Sequence, residues 1–286
     1  MHSFKIGVIV DSFRLGLRKG LQAAKEVGAE GVQFYANSTE IKPETLDAAA
    51  RRELKTHILD LGLEISAICG DIGHFMDTGR NPDHIRRSKL IVDLAVDMET
   101  KVVTTHIGSV PKDKSSPLYA VLQDACRQLG SYAAEKDVMF AIETGPETAV
   151  ALREFLDSLG VGGIGVNLDP ANLIMVTKDD PVAAVKTLAP YIVHTHAKDG
   201  RNLKDCDPAK VYAAFTDGNY PDLEKALGGA PFVELPLGTG DVQWKPYLDA
   251  LTAIGYKGYL TIEREEGDNR YEDIAAGVKF LEANIK

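Results

Sequence analysis

Residues 191–199 read Tyr-Ile-Val-His-Thr-His-Ala-Lys-Asp. The first five are apolar enough for a buried strand of a parallel sheet, and where that strand ends His196 emerges, with Lys198 and Asp199 just behind it. Three other apolar runs end the same way: 138–142 in Glu143, 164–168 in Asp169 and 258–262 in Glu263. A single carboxylate ending a strand is more often a helix cap or an ion-pair partner than a ligand. Four ligand-type residues, each closing a separate apolar strand, are a different matter when those strands are neighbours. Three carboxylates and one imidazole make the ligand set of one divalent cation, manganese, magnesium, cobalt or zinc rather than copper or an iron–sulfur cluster.

Working outward, the same alternation runs through the chain. Strands are expected at 5–10, 31–35, 64–68 and 102–105 ahead of these four, and the last strand is read at 259–262. Helices are expected at 15–27, 43–61, from Asn81 onward, and at 117–136, 147–159, 181–188, 244–254 and 271–283. Glu143, Asp169 and His196 are spaced by one strand-plus-helix unit each, whereas Glu263 lies more than two such units beyond His196. Roughly 40 extra residues therefore separate the seventh and eighth strands, more than a short connection needs. They are placed at 200–241, with a small helix at 208–215 and a turn-rich stretch at 237–241. Eight strands alternating with eight helices give an α/β fold, a (β/α)8 TIM barrel spanning 1–286 as a single domain. Loops after barrel strands lie on the carboxyl face, so the insertion is expected to border the site. No GxGxxG follows the first strand, which counts against a dinucleotide site.

Composition narrows the partners. At 286 residues and 44% hydrophobic, the chain buries one large core. With 32 basic against 42 acidic residues the net charge is -10, which repels a nucleic-acid backbone. Cys69, Cys126 and Cys206 show no CxxC spacing, so neither a disulfide framework nor a zinc knuckle is indicated, and a reducing cytoplasm fits. The apolar run at 6–10 is too short for a leader or a membrane span. A soluble, unprocessed cytoplasmic protein is expected, with no membrane partner and with the oligomeric state open, a homo-oligomer included.

Further polar residues fall near the same strand ends. His194 shares a strand face with His196 one layer deeper, and is expected to be a hydrogen-bonded core histidine rather than a ligand. His106 closes the fourth strand and either contacts substrate or caps the next loop. His74, in the loop with Asp71, is a weaker candidate for substrate contact. Lys198 either holds a hydroxyl or anionic group or is a surface lysine. Arg264 should face the helices, and the Gly238-Thr-Gly240 turn is a weak candidate for a phosphate cradle.

A cation flanked by two glutamates suggests proton transfer beside a carbonyl. The metal polarises the carbonyl and its neighbouring hydroxyl, easing formation of an enediolate, while one carboxylate removes a carbon-bound proton and the second returns it. Return to the opposite face of the same carbon is epimerisation; transfer to the adjacent carbon is aldose–ketose isomerisation.

At Ile142-Glu-Thr, Val166-Asn-Leu-Asp-Pro-Ala-Asn172, His194-Thr-His-Ala-Lys-Asp199, Pro236-Leu-Gly-Thr-Gly-Asp241 and Leu260-Thr-Ile-Glu-Arg264 the chain resembles the xylose isomerase-like barrel superfamily. Within it, the resemblance is to the sugar phosphate isomerase/epimerase branch, related to ketose 3-epimerases, and it covers essentially the whole chain. It implies metal ligands at Glu143, Asp169, His196 and Glu263, with Glu143 and Glu263 as the catalytic pair. His106, Asn172, Lys198 and His74 are the substrate-contact candidates, and the substrate implied is a small sugar or polyol. Asn172 stands where ketose 3-epimerases have a histidine near the reacting carbons, a departure that weighs against 3-epimerisation. Inosose dehydratases of the same superfamily use a similar site to eliminate water, so a lyase is the alternative to an isomerase or epimerase. A non-catalytic sugar-binding barrel is a third reading. The superfamily's apurinic endonucleases bind three zinc ions; Asn172 removes a histidine that site needs, and no D-x-H follows the seventh strand.

Overall fold

The structure, a computed structural model, describes residues 4–37 and 40–285. In chain order the strands are β1 (Lys5–Ile9), β2 (Gly31–Tyr35), β3 (Glu64–Cys69), β4 (Val102–Thr105), β5 (Met139–Glu143), β6 (Ile164–Leu168), β7 (Ile192–Ala197), the pair β8 (Asp199–Asn202) and β9 (Phe232–Leu235), and β10 (Tyr259–Ile262). All but β8 and β9 pair in parallel in the cyclic order β1-β10-β7-β6-β5-β4-β3-β2. Closure comes from β10 lying between β1 and β7, with Leu260 opposite both Ile6 and Thr195. The (β/α)8 barrel expected from the alternation is therefore the fold.

Around it run α1 (Leu17–Glu26), α2 (Ala48–Asp60), α3 (Asn81–Asp97), α4 (Pro117–Glu135), α5 (Ala149–Leu159), the short α6 (Pro170–Asn172), α7 (Pro181–Leu188), α8 (Pro208–Thr216), α9 (Tyr220–Ala226), α10 (Trp244–Ala253) and α11 (Arg270–Ile285). The second helix starts later than Pro43 suggests. Residues 43–45 are turn, and the Asp47 carboxylate caps α2 by accepting from the Ala49 and Ala50 N–H groups, both at 2.9 Å. After Asp169 the chain also differs from expectation: α6 leads into a widened π-helical turn at Leu173–Thr177, a feature that often marks functional sites.

Strand faces that point outward pack on the helices. Phe140, fully buried on β5, meets Phe75 edge-on at 6.4 Å, and truncating such a ring to alanine typically costs about 3–5 kcal/mol. Inside the barrel, Ala67, Val102, Ala141 and Val193 form a separate small cluster. Polar side chains stand above them, so the carboxyl end of the barrel carries the chemistry. Among the described residues no helix is long and apolar enough to cross a membrane.

Between β7 and β10 the chain builds a hairpin and two helices, where the sequence suggested one helix and turns. β8 and β9 pair antiparallel, Asp199 opposite Leu235, and α8 and α9 sit in the loop between them. The glycine turn closes the segment. Asp199 accepts from the N–H of Gly238 at 2.9 Å, of Val242 at 3.1 Å and of Trp244 Nε1 at 2.9 Å. A Cβ on Gly240 would overlap the Asp199 carboxylate and crowd the Gly200 nitrogen at 2.5 Å. The anion cradled by this turn is thus the chain's own Asp199, not a phosphate.

Candidate metal centre and active site

Glu143 ends β5, Asp169 follows β6, His196 is the penultimate residue of β7 and Glu263 follows β10. These strands are contiguous around the barrel, so the four side chains converge at its carboxyl end. One donor atom from each lies within 4.8 Å of the others. Donors held at about 2.0–2.4 Å from one ion are never more than about 4.8 Å apart, a condition that these four meet. His196 Nδ1 is 3.5 Å from Glu143 Oε1, 3.7 Å from Asp169 Oδ2 and 3.4 Å from Glu263 Oε2. Exposure of the four is between 0% and 6%, and buried carboxylates in such number need a counter-charge.

The local chemistry of Asp169 supports an ion. Its Oδ1 accepts from the Asn172 N–H at 2.9 Å and so starts α6, whereas its buried Oδ2 has no hydrogen-bond partner among the described residues. An orphaned carboxylate oxygen facing two glutamates and an imidazole is a fit for a divalent cation, and the donor set suits manganese, magnesium, cobalt or zinc alike.

Behind His196 stand two amides that the strand pattern did not single out. His196 Nε2 is 3.3 Å from Gln33 Oε1 and 3.1 Å from Asn167 Nδ2. These amides hold the ring at Nε2 and leave Nδ1 turned toward the carboxylates, the nitrogen that would meet a cation. Each amide lies beside a register shift in the barrel, between Val32 and Gln33 and between Val166 and Asn167. Such bulges re-aim side chains next to sites. Close packing of β6 on β7 here needs Gly165, where a Cβ would sit 2.6 Å from Val193. The available sequence signal was a polar amide in the middle of each apolar strand.

Burial opposes charge on His196, yet Glu143 and Glu263 outweigh it and lift the imidazole well above its ordinary value. Burial likewise works against ionised Glu263, but Lys198 and then His196 pull its carboxyl well below the usual range. At Asp169 burial wins and raises the carboxyl. A bound cation would reverse this balance, keeping the carboxylates ionised and His196 neutral. His194 is 3.1 Å from Gln33 Oε1 and 3.0 Å from Thr261 Oγ1, and burial followed by the neighbouring His196 lowers it to about 3. It is a neutral core histidine.

The remaining candidates line a cleft of about 1270 Å³ that Glu143 and Glu263 also line. Lys198 is not a surface lysine: it is 4% exposed, its Nζ donates to Glu263 Oε2 at 3.0 Å and contacts Glu265, and Glu234 of β9 is 3.8 Å away. Glu234 is a residue that sequence reasoning missed, because only the inserted hairpin brings it here. It also pairs with Arg264 at 2.5 Å, and Arg264 reaches Asp273 of α11 at 3.0 Å, so that side chain does turn from the barrel interior toward the outer layer. His106 Nδ1 is 2.8 Å from Asp71 Oδ2, and its Nε2 is 3.8 Å from Glu143 Oε1. Burial disfavours its charge, but Glu143 and then Asp71 raise it to about 10. Asn172 Nδ2 donates to Glu143 Oε1 at 3.1 Å. His74 lines the cleft, with its Nδ1 taken by the Met76 N–H at 3.3 Å.

The class of protein follows from fold and site together, a barrel with a carboxylate–histidine centre at its carboxyl end. The chain belongs to the xylose isomerase-like TIM barrel family, whose model matches residues 21–284. A xylose isomerase domain protein from Planctomyces limnophilus is 26% identical, with a TM-score of 0.78 over 99% of this chain and 96% of that one. A D-psicose 3-epimerase solved in the presence of D-fructose superposes with a TM-score of 0.71 at 14% identity, covering 99% of each chain. An inosose dehydratase from Lactiplantibacillus plantarum is 25% identical over 170 residues, 57% of this chain and 53% of that protein. The matched stretches span about a third to a half of the curated relatives' length.

Proposed function

We propose that the protein is a divalent-metal-dependent isomerase or epimerase of a small sugar, ketose or polyhydroxy ketone. One observation carries this reading: Glu143 and Glu263 approach His196 Nδ1 from different strands, at 3.5 and 3.4 Å, and both line the cleft, so two carboxylates border the place where a substrate would meet the ion. Glu143, Asp169, His196 and Glu263 would hold the ion, and when bound it supplies Lewis acidity toward carbonyl and hydroxyl oxygens. One glutamate removes the proton on the carbon beside the carbonyl and the other returns it. Lys198 donates to Glu263 and keeps it ionised for that task. His106, oriented by Asp71, presents Nε2 beside Glu143 and donates to a substrate oxygen there. The inserted hairpin and α8 wall the cleft and limit water around the reacting carbons.

A second reading, a lyase of the inosose dehydratase kind, is favoured by Asn172 in place of a histidine and by the dehydratase among the relatives. It uses the same groups: one carboxylate removes the proton and an acid on the opposite side protonates the departing hydroxyl. A screen of ketoses and polyols in deuterated water with manganese or cobalt present tests both. Deuterium at the reacting carbon of an epimer or isomer supports the first reading, and a product lighter by one water supports the second. Full metal loading with no exchange on any substrate would leave only a sugar-binding barrel.

A further inference from the structure

The inserted helix α8 sends one side chain across the cleft toward the centre. Tyr212 is half-buried and lines the cleft, and its ring lies 5.6 Å from that of His106 at an angle of 46°. Its hydroxyl rests on the backbone of Gly145, two residues past Glu143, in space that a Cβ on residue 145 would occupy. That seat exists because residue 145 is glycine. Val211 and Ala214 anchor the helix by burial, and Phe215 stacks on Tyr220 of α9 at 4.2 Å, so the phenol is held in place rather than hanging from a loose loop. Tyr212 Oη makes no hydrogen bond to the described residues and is not among the sealed-off polar atoms, so it is open to the cleft and free to donate to a ligand there. Around it both Glu143 oxygens, Asn172 Nδ2 and His106 Nδ1 already have protein partners, whereas His106 Nε2 does not.

We propose that Tyr212 is a substrate-contacting specificity residue contributed by the insertion, its hydroxyl donating to an oxygen of a polyhydroxylated substrate seated between the metal centre and α8. This rests on the reading of the centre as a sugar or polyol site. Every turn of a polyol presents an acceptor oxygen, so a donor fixed by Gly145 selects where along the chain that oxygen must lie. A merely structural tyrosine would serve as well with its hydroxyl removed, because the ring packing on His106 would be kept.

The test uses the manganese-loaded full chain with D-fructose, D-psicose and scyllo-inosose as probes, reading binding by saturation-transfer NMR and turnover by deuterium uptake. Tyr212→Phe is expected to weaken binding and raise KM about two- to tenfold with kcat nearly unchanged, the size of one neutral hydrogen bond. Gly145→Ala, which displaces the phenol from its seat, should change KM in the same direction. In both variants the rise in Tm on adding manganese should stay at the wild-type value. Tyr212→Phe with unchanged affinity for every probe that binds would overturn the inference while leaving proton transfer standing. Binding that is sensitive to Tyr212→Phe without any deuterium uptake would uphold the inference and sink the isomerase reading. Failure of all three probes to bind the wild type would overturn both.

Discussion

Replacing Glu263 with glutamine separates holding the metal from moving the proton. In the structure Glu263 is 6% exposed, and its Oε2 meets Lys198 Nζ at 3.0 Å and His196 Nδ1 at 3.4 Å. Glutamine has the same shape and still offers one oxygen, so a bound ion would keep its four side chains. Lys198 keeps Glu265 and Glu234, and the fold should therefore lose only about 1–3 kcal/mol, the size of one hydrogen bond to a charged group. An amide cannot accept the carbon-bound proton. Loss of a general base costs about 10²- to 10⁴-fold in kcat, or about 3–5 kcal/mol of barrier. Metal content by plasma mass spectrometry, Tm with and without manganese, and deuterium uptake together read the three quantities. A variant that binds metal and turns over at the wild-type rate would refute the two-carboxylate mechanism.

Asp169→Asn keeps the oxygen that caps α6 but turns a neutral amide toward the centre, so the Tm rise on adding manganese should vanish. At a hundredfold excess over Kd that rise reflects about 2.7 kcal/mol in the wild type, and an undiminished shift would count against Asp169 as a ligand. Gly240→Ala should destabilise the insertion, because its Cβ overlaps the Asp199 carboxylate; limited proteolysis should then cut within 200–241 first, and wild-type resistance would refute it. Glu147 gives a pH dependence. It is 8% exposed, and burial raises it to about 7 despite the Val110 N–H. An acid raised in the folded state binds more protons there than when unfolded, so its contribution is full below pH 4.5 and is lost as pH rises to about 7. At 1.36 kcal/mol per unit, Glu147→Gln should gain about 3 kcal/mol on the wild type between pH 4.5 and 8 in urea unfolding, and a pH-independent difference would contradict this.

Apolar runs ending in Glu143, Asp169, His196 and Glu263 were legible because a buried parallel strand is continuous in sequence and its last residue falls on the barrel's functional face. The deeper, neutral His194 was legible for the same reason, since strand side chains repeat every two residues. The start of α2 was not, because Pro43 and Asp47 both offer helix-start signals and only the folded chain shows which one is capped.

The sequence by itself determined the alternation of strands and helices, the four strand-end residues and the presence of a long segment before the last strand, all of them local or periodic properties. Tertiary structure decided what lies between distant positions. Closure of β10 onto β1, the two register shifts that aim Gln33 and Asn167 at His196, and the burial of Lys198 among Glu263, Glu234 and Glu265 depend on pairing and packing across the barrel. The glycine turn reads in sequence as room for any anion, but only the fold shows that Asp199 already fills it. Tyr212 and Gly145 are 67 residues apart and meet because a helix inserted after β7 folds back over the end of β5, a contact that no periodicity in the chain encodes.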